Sequence, residues 1–158
     1  MTRQELLDML KEKGIKYEIT EHVPVFTIGE MLDIGFPYPD IIAKNLFVRD
    51  DKKKNYYLIT VQEERKINLK EFQEQFGTRK LSFASENDLM GTLGLIKGAV
   101  TPFGLLNDEE HKVQFYIGQE FYNGKLGIHP MENTATVWMN TKDLVELIKQ
   151  HGNTVKIF

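Results

Sequence analysis

The chain has 158 residues, of which 41% are hydrophobic and 27% are charged, a composition typical of one globular domain. It contains no cysteine, which excludes disulfides, thiolate metal sites and a cysteine nucleophile. No apolar run reaches the roughly 20 residues of a membrane helix, and the first residues lack a signal-peptide pattern. We therefore expect a single cytoplasmic domain over residues 1–158.

The net charge of −3 hides an uneven distribution along the chain. Residues 1–43 carry 4 basic and 8 acidic side chains, residues 44–80 carry 10 and 6, and residues 81–158 carry 6 and 9. A basic middle in an acidic chain is typical of a local phosphate-binding surface. For the lysine triplet 52–54 a solvated hairpin tip is the simpler interpretation.

Capping residues and hydrophobic periodicity divide the chain into short helices and strands. In the first part of the chain we expect a helix from Thr2 to Gly14, a strand at 16–21, a short helix at 27–34 that starts with the capping box Thr27 to Glu30, and a loop at 36–39. In the middle we expect strands at 41–49 and 56–62 that form a hairpin, a helix from Asn68 to Phe76, a strand at 81–84 and a helix that starts at Ser85. In the last part we expect strands at 113–117, 127–128 and 134–139, a helix capped by Thr141, and a strand at 154–158. This order has no regular βαβ rhythm, so the sequence predicts an α+β domain around a mixed, mostly antiparallel sheet.

A lysine interrupts the apolar strand 41–49. By alternation Lys44 shares a face with Ile42, Leu46 and Val48, so it points with apolar side chains. A lysine in such a place requires an anionic partner or a cleft. The alternative is an edge lysine whose stem packs while its ammonium group reaches water. The pattern alone does not separate the two.

Two further segments differ from ordinary scaffold. The glycine-rich stretch 98–104 allows close backbone approach to a ligand and leaves amides free to bind an oxyanion, although such a loop is more often a turn. It matches neither nucleotide-binding glycine motif. His129 precedes a proline and a threonine-rich strand, which suits a small polar pocket, although a lone histidine in such a place is usually structural.

Together these segments resemble the YbaK/prolyl-tRNA-synthetase-associated editing domains. The resemblance rests on 42–47 (IAKNLF), 98–108 (GAVTPFGLLND) and 129–136 (HPMENTAT), and the upstream segment 21–27 is similar to the freestanding branch of the family. It covers essentially the whole chain in the right order. It implies a mixed sheet curled into a partial barrel with flanking helices, and hydrolysis in trans of a mischarged aminoacyl-tRNA, first of all alanyl-tRNA(Pro).

The resemblance also implies a set of site residues. Lys44 matches the functional lysine of the family, Gly98 and Pro102 match its G-x-x-x-P loop, and His129 matches a histidine of the amino-acid pocket. We expect the catalytic residues to be Lys44, Gly98, Ala99, Val100, Thr101 and Pro102. We expect the amino-acid pocket to include Thr27, Ile28, Met31, Ile42, Asn45 and His129. Expected tRNA contacts are Arg49, Lys66, Arg79 and Lys80.

The expected mechanism is attack by water without a covalent nucleophile, metal or cofactor. The two serines, Ser82 and Ser85, lie in no nucleophile motif, and the four histidines lack metal-site spacing. A pocket too small for the proline ring would supply selectivity by size. The expected partners are the acceptor end of tRNA(Pro) and a prolyl-tRNA synthetase. The alternatives are a non-catalytic module that binds an acceptor stem or an amino acid, a deacylase for cysteine, serine or threonine, and a hydrolase of another small ester.

Overall fold

Helices and strands follow one another in an irregular order, as the sequence predicts. The computed structural model describes residues 1–24, 30 and 33–158. The α-helices described in full are α1 (Arg3–Glu12), α2 (Leu69–Phe76), α3 (Glu86–Leu93) and α4 (Thr141–His151). The strands are β1 (Tyr17–Glu21), β2 (Ala43–Asp50), β3 (Tyr56–Gln62), β4 (Leu81–Phe83), β5 (Val113–Ile117), β6 (Lys125–Ile128), β7 (Ala135–Asn140) and β8 (Val155–Ile157). Short 3₁₀ turns lie at Pro39–Ile41, Pro102–Asn107 and Gln119–Phe121.

Side-chain caps begin most of these helices where the sequence predicts them. Thr2 and Glu5 form the reciprocal capping box of α1. The side chain of Asn68 accepts hydrogen bonds from the amides of Lys70 and Glu71 at the start of α2. Ser85 caps α3 in the same way as Thr2 caps α1. Of the second predicted capping box, Thr27 lies outside the described residues.

The predicted cap of α4 is wrong. Asn140, not Thr141, is the N-cap residue, and its side chain forms no capping hydrogen bond. Thr141 is instead the first helical residue. Its hydroxyl oxygen is fully buried and has no hydrogen-bond partner in the part of the chain that the structure describes. Thr141 therefore lies at the start of the helix as a buried residue and does not cap it.

The strands form two sheets that meet at one point. An antiparallel sheet has the order β1-β7-β6, and a mixed sheet has the order β4-β2-β3-β5-β8, in which β5 pairs in parallel with β3 and β8. A parallel bridge between Ile42 and Gly127 joins the two sheets. The predicted α+β fold with a mixed, mostly antiparallel sheet is confirmed, and the partial barrel takes the form of these two adjoining sheets.

The core has three parts. The largest cluster lies on one face of the five-stranded sheet and includes Phe47, Leu58 and Phe115 together with side chains from α1, α3 and α4. The second cluster lies on the opposite face, where Phe72 of α2 packs against the sheet. The third consists of Phe36, Ile42 and Trp138 and lies beside the bridge between the sheets. None of the described helices has the length and apolar character needed to cross a bilayer.

Candidate active site

Lys44 lies on an apolar face of the β2–β3 hairpin, as alternation predicts. Its cross-strand partner is Val61, and the next residues on this face pair as Leu46 with Ile59 and Val48 with Tyr57. The lysine side chain is half-buried. Within the described residues it forms no hydrogen bond and no ion pair within 4 Å. Lys44 is therefore a cation held beside the core without a close protein partner.

Glu63 is a buried carboxylate next to this lysine, and the sequence analysis missed it. Its amide donates to the carbonyl oxygen of Ile42 at 3.1 Å and so extends the hairpin by one residue. This register places Glu63 on the same face as Lys44, in the diagonal cross-strand position. Burial and the charge of Glu64 raise its pKa, while the charge of Lys44 acts in the opposite direction. A pair of acidic residues after a strand is typical of a solvated turn, which is why the pattern gave no signal.

The bridge between Ile42 and Gly127 brings the start of β2 to the end of β6. Lys44 and His129 each follow the bridge by two residues, in strands that run in the same direction. Ile42 itself is buried against Phe36 and Trp138. The motif segments 42–47 and 129–136 are far apart in sequence, but both begin at or near the bridge between the two sheets.

His129 is held in one tautomer by its surroundings. Its Nδ1 lies 2.9 Å from the carbonyl oxygen of Ala135, and because a carbonyl only accepts, Nδ1 carries the proton. Burial lowers the pKa of His129 below its usual value of 6.5, the nearby His22 lowers it further, and the bond to Ala135 partly opposes both. The ring is therefore neutral at pH 7, and Nε2 presents a lone pair.

A second histidine, His22, lies next to His129. The ring centroids of His22 and His129 are 5.9 Å apart. His22 Nδ1 lies 2.8 Å from the carbonyl oxygen of Val23, and Nε2 lies 2.9 Å from the Thr136 hydroxyl. The His22 ring also packs edge-on against Phe36. The aromatic cluster beside the bridge thus continues directly to the two histidines.

In the glycine-proline loop at 98–104, only some backbone amides are free to bind a ligand. Gly98 has a φ of +90°, a conformation that glycine adopts without strain. The amide of Ala99 donates to the carbonyl oxygen of Ile96 at 3.1 Å, and Pro102 has no N–H. The amides of Gly98, Val100 and Thr101 have no acceptor among the described residues. Thr101 is fully buried, so an oxyanion bound here would be bound by the amides of Gly98 and Val100.

The loop reaches β2 at Asn45 rather than at Lys44. A groove of about 420 Å³ is lined by residues of β2 and α3 and also by Phe83, Lys97 and Val100. Asn45 lines this groove, and its side-chain oxygen accepts a hydrogen bond of 2.5 Å from the Thr60 hydroxyl. The remaining lining residues are Leu46, Phe47, Ala84, Ser85, Glu86 and Leu89.

The predicted tRNA contacts fall into two groups. Arg49 lies 3.7 Å from the carboxylate of Asp88, and Arg79 forms a two-point ion pair with Asp51. Lys66 and Lys80 are exposed.

Of the predicted pocket residues, Thr27, Ile28 and Met31 lie outside the described residues. In residues 1–24, 30 and 33–158 there is no group of three histidine, aspartate or glutamate side chains placed to hold a metal ion.

Comparisons with known proteins identify the class. Residues 22–147 match the aminoacyl-tRNA editing domain, and the chain belongs to that family. It is 43% identical to the prolyl-tRNA editing protein ProX of Acetoanaerobium sticklandii, over 98% of this chain and 94% of that protein. It is 36% identical to the prolyl-tRNA synthetase associated domain-containing protein 1 of Mus musculus, over 96% and 92% of the two chains.

A solved structure described as that of a candidate trans-editing enzyme for prolyl-tRNA synthetase superposes with a TM-score of 0.71, covering 98% of this chain and 94% of the other. At 18% identity this likeness supports the fold alone. Family membership confirms the predicted enzyme class, a hydrolase of aminoacyl-tRNA esters, and with it an aminoacyl-tRNA as substrate.

Proposed function

We propose that the chain hydrolyses the ester of alanyl-tRNA(Pro) in trans. The observation that carries the proposal is the bridge between Ile42 and Gly127, because it brings the strands of Lys44 and His129 together beside a small apolar cluster. The similarity to a protein named for prolyl-tRNA editing supports the choice of tRNA. Aminoacylated tRNA forms in the cytoplasm, which is the expected place of action, and a prolyl-tRNA synthetase is the expected source of the mischarged substrate.

In the proposed reaction a water oxygen attacks the carbonyl carbon of the ester. The electron pair of the C=O bond moves to its oxygen, and the free amides of Gly98 and Val100 donate to the oxyanion. The bond between the carbonyl carbon and the ribose oxygen then breaks, and that oxygen receives the proton that the water gives up. The products are the free amino acid and a tRNA with a free 3′-terminal hydroxyl.

The two conspicuous side chains have separate roles in this scheme. His129 accepts a hydrogen bond from the attacking water at Nε2, because its Nδ1 proton is committed to Ala135. Lys44 carries its charge and attracts the anionic acceptor end, whereas Asn45, which lines the groove, is placed to contact the terminal ribose. No covalent enzyme intermediate is needed, since the ester of an aminoacyl-tRNA is already activated.

Selectivity against proline follows from size in this proposal. The proline ring carries two more methylene groups than the alanine side chain, and a closed apolar wall excludes it. Ile42 and His129 are the pocket walls within the described residues. Ile42 is held by Phe36 and Trp138, so it is unable to move aside for a larger side chain. The same wall admits a methyl group.

The groove beside β2 is the proposed place of the 3′-terminal nucleotides. It adjoins the loop and Asn45, so a chain that leaves the ester meets it next. Phe83 is 64% exposed and offers a face for a nucleobase, and Lys97 offers a charge for a phosphate. Glu86 on the rim carries the opposite charge, which confines the anionic backbone to the Lys97 side.

A panel of aminoacyl-tRNAs tests the function. The purified protein is incubated with tRNA(Pro) charged with alanine, serine, threonine, cysteine or proline, and loss of the labelled amino acid is followed against a reaction without protein. We expect rapid loss of alanine and persistence of proline. Loss of another amino acid would identify a different deacylase. Binding without loss would favour the non-catalytic module, and neither result would favour another ester.

A further inference from the structure

Glu63 is a buried charged group that the proposed reaction does not use. The residue is 6% exposed, and its Oε2 atom has no hydrogen-bond partner within the described part of the chain. Buried carboxylate oxygens are almost always hydrogen-bonded, because desolvation without a partner is costly. We therefore expect a bound ligand to donate a hydrogen bond to this oxygen.

The position of Glu63 indicates which site that ligand occupies. The residue continues β3 beyond Gln62 and is bonded through its amide to Ile42, which forms the bridge to Gly127. It shares its face of the hairpin with Lys44. The carboxylate therefore belongs to the junction from which the lysine and the strand toward His129 start.

Lys44, the nearby cation of the protein, forms no ion pair with the Glu63 carboxylate. Lys44 lowers the pKa of Glu63 through its charge, but burial outweighs that effect and the pKa is raised. Among the described residues no nitrogen of a lysine, arginine or histidine lies within 4 Å of Glu63. A second cation with N–H donors fits this environment.

We propose that Glu63 binds the α-ammonium group of the aminoacyl ester. The inference rests on the proposed function, whose substrate carries that ammonium two bonds from the reacting carbonyl carbon. A charge-assisted hydrogen bond from the ammonium to Oε2 fixes the carbonyl relative to Lys44. It also rejects esters of acids that lack an amino group. Glu63 is thus a binding residue for the feature common to all aminoacyl esters.

Lactyl-tRNA(Pro) separates this role from others, since a hydroxyl group replaces the α-amino group of alanine at nearly the same size. We expect wild-type protein to hydrolyse alanyl-tRNA(Pro) with a kcat/KM at least about 10-fold above that for the lactyl ester. In Glu63→Gln the alanyl value should fall about 10- to 100-fold while the lactyl value changes less than about threefold. Glu74→Gln, at an exposed position of α2, is the control for loss of a surface charge and should leave both values unchanged.

Other outcomes have distinct meanings. An equal loss on both esters would overturn the proposal and show that Glu63 acts through Lys44 or the fold. No loss on either would overturn it as well. If Glu63→Gln does not fold, the wild-type comparison decides alone, and equal rates on the two esters would refute the role. A wild-type protein inactive on every aminoacyl-tRNA in the panel would instead refute the proposed function, and this inference with it.

Discussion

Ile42 and Gly127 form the parallel bridge that joins the five-stranded sheet to the three-stranded sheet. Gly127 also lies directly against the ring of Trp138, and a Cβ atom at position 127 would overlap that ring. Trp138 is 1% exposed, and its Nε1 donates to the Thr20 hydroxyl at 2.9 Å, so it is unable to turn away freely. The junction of the candidate site thus depends on a residue without a side chain.

We therefore expect Gly127→Ala to damage both stability and activity. Overpacking against Trp138 should lower the free energy of unfolding by about 1–3 kcal/mol, and the displaced β6 should carry His129 away from Lys44 and reduce kcat. Denaturant unfolding and deacylation of alanyl-tRNA measure the two effects. Gly124→Ala is the matched control, because no atom lies within 4 Å of its added Cβ. Full stability in Gly127→Ala would show that the junction tolerates displacement of the tryptophan.

Lys44→Ala should separate activity from folding. The side chain forms no hydrogen bond or close ion pair within the described residues, so the free energy of unfolding should change by less than about 1 kcal/mol. Loss of its charge at the ester should reduce kcat/KM by about 100-fold or more. Lys125→Ala, an exposed lysine of β6, serves as the control. Wild-type turnover by a folded Lys44→Ala protein would remove this residue from the mechanism.

The sequence was most informative where structure is local. Alternation in 41–49 predicted both the hairpin and the face of Lys44, since the period of a strand leaves one choice once the apolar face is known. Asn68 predicted the start of its helix because the cap bonds to its nearest amides. Thr141 misled for the same local reason, since a threonine before an amphipathic run is typical of a cap whether or not Asn140 takes that place.

Long-range juxtaposition was visible only through resemblance. No local pattern pairs Ile42 with Gly127, so the approach of the two segments that lead to Lys44 and to His129 did not follow from the residues themselves. Glu63 was missed for a related reason. Its burial depends on an extension of the hairpin beyond β3 and on packing at the sheet junction, whereas the sequence shows only two acidic residues after a strand.

The groove should show two different dependences on salt. Lys97→Ala should weaken tRNA binding and reduce the slope of log affinity against log salt by about one, since one phosphate contact is lost. Phe83→Ala should weaken binding by about 1–3 kcal/mol with the slope unchanged, because stacking involves no counterions. Titration of uncharged tRNA at several salt concentrations measures both. Tyr122→Ala, an exposed aromatic outside the groove, is the control, and an equal loss there would argue against a specific nucleotide site.

The buried hydroxyl of Thr141 should be dispensable. It has no hydrogen-bond partner among the described residues, so Thr141→Val removes a desolvated polar atom and retains the branched shape. We expect the free energy of unfolding to rise by about 1 kcal/mol, with deacylation unchanged. Thr141→Ser keeps the hydroxyl and should not stabilise. A loss of stability in the valine variant would indicate that the hydroxyl is satisfied by water.

His129 predicts the pH dependence of the reaction. Its folded-state pKa lies below 6.5, chiefly because of burial, and the neutral ring is the form that accepts a hydrogen bond from water. The acid limb of kcat/KM for alanyl-tRNA should therefore have its midpoint below pH 6.5, the ordinary pKa of histidine. Because the unfolded chain binds the proton more readily, the contribution of His129 to stability is complete above pH 6.5 and is lost as the pH falls toward the folded-state pKa.

His129→Gln keeps a donor for Ala135 and does not titrate, so it should lose this part of the acid limb and show a lower, flatter profile. Initial rates between pH 5 and 8, corrected for spontaneous ester hydrolysis, measure it. An unchanged acid limb in the glutamine variant would assign the titration to another group, and a wild-type acid limb with its midpoint above pH 6.5 would contradict a lowered pKa at His129.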